Sequence, residues 1–144
     1  MRQHARSTPQ GLFSGITWPL VIGLGALALI RPLLRITGIA DALAPGPLVP
    51  VATTVLITVV WVAAVLIARV PRPFLTLLHT GVAYGVFAIA LSAILSPVLD
   101  GRLQGPLTNP FALVTVLLLN AAWGAVAGGI ALGIKRTTGQ GTER

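Results

Sequence analysis

The chain has 144 residues, of which 55% are hydrophobic and only 9% charged, with ten basic residues against three acidic ones and no cysteine. A soluble domain carries about 25% charged residues, so this composition excludes an ordinary water-soluble fold. The lack of Cys excludes disulfides, thiol nucleophiles and Cys-ligated metals. The net charge of +7 sits at the ends of apolar runs, which points to anionic lipid headgroups and not to nucleic acid as its counterpart.

Residues 1–11, MRQHARSTPQG, read as a polar, disordered tail carrying Arg2 and Arg6. The first apolar run, 13–30, would reach about 27 Å at 1.5 Å per residue, enough for one crossing. It could also be mistaken for a signal peptide. Of the two A-x-A sites, Ala26-Leu27-Ala28 lies inside the apolar run and Ala42-Leu43-Ala44 is followed by Pro45. The first span is therefore expected to be retained. Arg31-Pro32 should end or kink it. Beyond, Leu33, Ile36, Ala40 and Leu43 recur at helical spacing, which predicts an interfacial helix at 33–43. The alternative is a longer, tilted first span whose arginines snorkel outward.

A second span is predicted at 49–68, followed by a tight turn, RVPRP, with Pro73 as the first residue of a third span at 74–95. Pro97 should end that span. Asn109-Pro110 supplies a cap and a first-turn proline for a fourth span at 111–134, which Lys135-Arg136 should stop. A polar, disordered tail follows at 137–144. Each run is about twice the ten or so residues of an outer-membrane strand and is apolar on every face, so a β-barrel is excluded. The expected fold is a single all-α transmembrane domain of four helices.

Seven basic residues, Arg2, Arg6, Arg69, Arg72, Lys135, Arg136 and Arg144, fall on one side of these spans, and Arg31, Arg35 and Arg102 on the other. The positive-inside rule then places both termini in the cytoplasm.

The chain also resembles itself. DALAPGPL at 41–48 and DGRLQGPL at 100–107 share an Asp, four variable residues and Gly-Pro-Leu. Pro50 leads to Trp61 much as Pro110 leads to Trp123. Ile30-Arg31-Pro32-Leu33-Leu34 parallels Leu95-Ser96-Pro97-Val98-Leu99. A tandem duplication of a two-span hairpin would give parallel repeats related by an axis along the membrane normal.

With boundaries at 13–30, 49–68, 74–95 and 111–134, no span contains Asp, Glu, Lys or Arg. That argues against a proton-coupled pump, which depends on a membrane-embedded ionisable group. The intramembrane polar candidates are His79 and Asn120. His79 is expected near the cytoplasmic interface, wetted or hydrogen-bonded to a backbone carbonyl. Asn120 is expected to face another helix. Trp61 and Trp123, deep in their spans, read as packing anchors. Small residues spaced four apart, Gly81 and Gly85, Gly124 and Gly128, and Gly129 and Gly133, predict close helix contacts within the chain or between protomers. The span threonines should bond their own helix backbones. No catalytic, metal or cofactor site can be assembled from Asp41, Asp100, Glu143 and two histidines.

Taken together, WPLVIGLGALALIRPLL, HTGVAYGVFAIALSAILSPVLDG and GPLTNPFALVTVLLLNAAWGAVAGG resemble small four-span integral membrane proteins of actinobacteria. The resemblance covers nearly the whole chain. It implies a bacterial cytoplasmic membrane and four helices, and carries no activity or ligand. The sequence reading is a non-enzymatic accessory or structural membrane component, as a homo-oligomer or within a larger complex. Its alternative is an oligomeric small-solute transporter or channel.

Overall fold

The computed structural model describes residues 14–139. Among these there is no strand, and four helical segments are long and apolar enough to cross a membrane: Trp18–Ile36, Leu48–Ile67, Pro73–Asp100 and Pro110–Thr137. The elements are α1 (Trp18–Leu27), α2 (Ile30–Ile36), α3 (Ile39–Leu43), α4 (Leu48–Ile67), α5 (Pro73–Asp100), a 3₁₀ turn at Pro106–Thr108 and α6 (Pro110–Thr137). The all-α, four-span architecture matches the sequence reading. The predicted tail at 1–11 and residues 140–144 lie outside the described residues.

Local chemistry explains the boundaries. Pro73 opens α5 in its first turn, where its missing N–H costs no helical bond. Asn109 caps α6, its side-chain oxygen accepting from the Phe111 N–H at 2.9 Å with Pro110 behind it. At the end of α4 the Val70 N–H bonds the Val65 carbonyl and the Arg69 N–H the Leu66 carbonyl, with Arg69 left-handed at φ +49°. These are the two bonds of a Schellman cap, and the buried pair Val65 and Val70 supplies its apolar contact.

The first span departs from the predicted 13–30. It continues through Pro32 to Ile36, so Arg31 and Arg35 lie within a candidate span. Pro32 cannot donate to the Ala28 carbonyl; the Arg31 N–H does so instead at 3.2 Å. The chain thus tightens at Ala28 and Leu29 and resumes as α2, so that of the expected end or kink at Arg31-Pro32 it is the kink that forms, and the longer first span, the alternative reading, is the one seen. The predicted interfacial helix at 33–43 is split, because Gly38 adopts φ +74° between α2 and α3. Pro97 does not end α5, which runs on to Asp100 before Gly101 turns left-handed. It falls in the last turn, where a lost bond costs least. Lys135 and Arg136 are likewise inside α6, and the Lys135 ammonium donates to the Val70 carbonyl at 3.1 Å.

In space the long helices form a ring in the order α1, α5, α6, α4. The α5–α6 hairpin is the most intimate pair. A Cβ on Gly81 would overlap the Asn120 carbonyl oxygen and lie 3.1 Å from the Gly124 Cα. A Cβ on Gly124 would overlap the Leu77 carbonyl oxygen, and one on Gly128 would meet Phe74 at 2.9 Å. The glycine hydrogens point at those carbonyls, a reciprocal Cα–H···O arrangement possible only at this backbone separation. α1 joins α5 where Gly25 faces Ala83 and Tyr84. α1 and α4, by contrast, meet chiefly through Trp61. It is 1% exposed and donates its indole N–H to the Leu24 carbonyl at 3.0 Å. A packed apolar core of Leu24, Trp61, Val65, Leu77, Ala127 and Ala131 fills the end of the bundle nearer residue 70.

The two hairpins differ in packing, α5 and α6 lying far closer together than α1 and α4. In the two GPL turns, Gly46 and Gly105 take similar φ of +93° and +91°.

Candidate functional site: a crevice at the GPL-turn end

Toward the GPL turns the helices part. The break at Ala28 and Leu29, forced by Pro32, sets Arg31 at the start of α2. Helical side chains lean toward the helix N-terminus, so Arg31 leans inward along its own helix. There the guanidinium interacts with the hydroxyl of Tyr84 on α5. These two residues line both of two adjoining cavities. The outer one, about 490 Å³, is also bounded by Arg35, Asp41, Pro50 and Thr53. The inner one, about 250 Å³, is bounded by Thr54, Ile57, Trp61, Leu119, Asn120 and Trp123. Arg31 and Arg35 form no ion pair among the described residues. The inner cavity stops at Trp61, beneath which the apolar core is closed.

Asn120 is where the sequence placed it, midway along its span, but its partner differs. Its amide N–H donates to the Val116 carbonyl of its own helix at 2.7 Å. The contact across the helix pair is made by its backbone oxygen against Gly81. The amide can use its own helix because the α5–α6 backbones are too close to admit a side chain between them. Its amide oxygen accepts no hydrogen bond among the described residues, and Asn120 lines the inner cavity.

His79 is not part of the crevice. Its Nδ1 lies 2.7 Å from the Leu75 carbonyl, and its ring meets Trp18 edge-on at 5.8 Å. The carbonyl partner is the one expected from the sequence. The two tryptophans differ. Trp61 is the buried anchor, whereas Trp123 is 42% exposed on the flank of α6 and donates to the Thr58 hydroxyl at 3.2 Å. Thr53, Thr54, Thr58 and Thr115 each bond the carbonyl four residues back at 2.8 Å, as expected. Gly81, Gly85, Gly124 and Gly128 all face the α5–α6 contact. A Cβ on Gly129 or Gly133 would meet nothing within 4 Å, so neither packs against a neighbouring helix among the described residues.

Sequence reasoning missed Arg31 and Tyr84 as members of a site. The available signal was the apolar run resuming after Pro32, in Leu33, Leu34 and Ile36, which lengthens the span around the arginine.

Comparison with protein-family models, with curated proteins and with solved structures finds no match to this chain. The crevice therefore has to be interpreted from its own residues.

Proposed function

We propose that this chain is a non-enzymatic binding component of a bacterial cytoplasmic membrane, its working part the crevice between α2, α4, α5 and α6. The observation that carries the reading is the pair Arg31 and Tyr84, shared by two cavities that close at Trp61. A charged residue within a span is expensive and is kept where it has work to do. A pocket closed at one end holds a ligand and does not conduct one. The basic-residue asymmetry supports cytoplasmic termini and a crevice opening on the outer face. The resemblance to small actinobacterial membrane proteins supports the choice of membrane. The matched GPL glycines support an ancestral duplication whose halves have since diverged in packing. Assembly into a homo-oligomer or a larger complex fits the amount of apolar surface left uncovered.

The second reading is a small-solute transporter seen with its outer side open. The polar series Arg31, Tyr84 and Asn120 along the crevice favours it. A single-cysteine series separates the two, because the native chain has no Cys. In the binding reading, Thr54→Cys reacts with a membrane-impermeant thiol reagent from the outer side only, and Leu77→Cys from neither. Labelling of Thr54→Cys from both sides would favour the transporter. Lack of labelling from either side would remove the crevice reading.

A further inference from the structure

We propose that the crevice seats one anionic amphiphile, its phosphate or carboxylate head between Arg31 and Arg35 and one alkyl chain along Ile57, Leu119 and Trp123. This rests on the binding reading above and names its ligand class.

Three observations converge on that class. The first is charge. The outer cavity presents two guanidinium groups and one carboxylate, Asp41, and neither arginine is ion-paired among the described residues. Guanidinium forks match phosphate and carboxylate oxygens in a bidentate geometry. An arginine inside a span gains most from such a counter-ion, because neither lipid tails nor an apolar wall can solvate it. Tyr84, already against Arg31, adds a hydroxyl that can donate to the same head. The second is the change of character with depth. Below Arg31 the walls become mainly apolar, Ala28, Ile57, Trp61 and Leu119 with only Thr54 and Asn120 polar, a surface better suited to a hydrocarbon chain than to a small soluble anion. The third is a side opening. Leu119 is 70% exposed and Trp123 42% exposed, so the inner cavity borders the bilayer between α4 and α6. A chain can pass through that gap into the lipid while its head stays on the arginines.

The head chemistry has two sources: a phospholipid of the surrounding leaflet, or a free single-chain amphiphile such as a fatty acid. The test uses purified full-length chain in a neutral detergent and the fluorescence of Trp61 and Trp123. In a Trp18→Phe background the third tryptophan is removed. The protein is titrated with chain-brominated phosphatidylglycerol, chain-brominated phosphatidylcholine, brominated stearate and inorganic phosphate. Bromine quenches a tryptophan it touches. The expected result is saturable quenching by phosphatidylglycerol, by stearate or by both, and at least about tenfold weaker half-saturation for phosphatidylcholine. Which of the two anionic probes acts at the lower concentration assigns the source. Arg31→Gln with Arg35→Gln should abolish the preference. Arg102→Gln, at the same end but outside the crevice, should retain it. Equal quenching by phosphatidylglycerol and phosphatidylcholine in the unsubstituted crevice would overturn the proposal, and this comparison holds even if the double variant fails to fold. A thermal shift with inorganic phosphate and no headgroup-dependent quenching would also overturn it, in favour of a soluble anion. Outer-side labelling of Thr54→Cys without any anion preference would leave the binding reading standing and remove only this ligand class.

Discussion

Trp61 and Trp123 are the same residue type at similar depths in their helices, yet the surroundings give them different weight. Trp61 is buried at the meeting of α1 and α4 and is the main contact between them. Trp61→Ala is expected to destabilise the fold by about 3–5 kcal/mol, the usual range for emptying an aromatic core position. Trp61→Phe removes chiefly the bond to Leu24, about 0.6 kcal/mol by the average for such bonds in membranes. Trp123→Phe should fall within that smaller figure, since the ring is exposed. Unfolding of the three variants by denaturing detergent in mixed micelles gives the order. Equal losses for Trp61→Ala and Trp123→Phe would refute the assignment of the anchor. The sequence shows that both indoles lie deep. It does not show which faces a neighbour, because that depends on how far each helix is rotated in the ring.

At the scale of the helix the small residues tell the same story. Gly124 and Gly128 lie on one face of α6, and Gly129 and Gly133 on a face about 140° away by the helical repeat. Both pairs satisfy the small-xxx-small pattern, and only the first meets a partner among the described residues. Gly81→Leu and Gly124→Leu should each cost 1–3 kcal/mol or more by overpacking, whereas Gly129→Leu should change stability by less than about 0.5 kcal/mol. Thermal unfolding in detergent distinguishes them. Neutral behaviour of Gly124→Leu would contradict the backbone contact. A second prediction concerns the end of α4. Arg69 holds a left-handed conformation that glycine adopts freely, so Arg69→Gly should raise stability by up to about 1 kcal/mol. A loss would show that the Arg69 side chain contributes more than its backbone strain costs. Caps and first-turn prolines such as Asn109, Pro110 and Pro73 were legible in the sequence because their chemistry is local. The passage of the first span through Pro32 was only one of two readings the sequence left open. It depends on a substitute bond from Arg31 to Ala28 and on α5 lying alongside.

Across the molecule, four crossings place residue 139 and the turn at 101–105 at opposite ends of the bundle. Reporter fusions at residue 144 and within 101–105 should therefore report opposite sides of the membrane, with the C-terminal fusion cytoplasmic. Two reporters on the same side would be incompatible with four spans, and a reversed pair would invert the orientation and turn the crevice inward. The overall plan was readable in the spacing of apolar runs and charges. The asymmetry of the ring was not, because similar apolar runs need not make similar contacts. One hairpin closed on glycine, while α1 and α4 meet around Trp61, with Leu24, Ala28, Ile57 and Val65 in the same core.

That asymmetry bears on biosynthesis. Chains emerge N-terminus first, so α1 and α4 reach the bilayer before the glycine-closed pair that will hold them exists. For the interval until residue 84 has been made, Arg31 has no phenol to meet. The insertion machinery must accept a helix bearing two arginines, Arg31 and Arg35, each costing about 2.5–3.5 kcal/mol at a span centre and less toward the span end, where both lie. The leucines and isoleucines around them have to carry them across alone. The last two helices thus complete a site whose charged residue was committed to the membrane in advance of them.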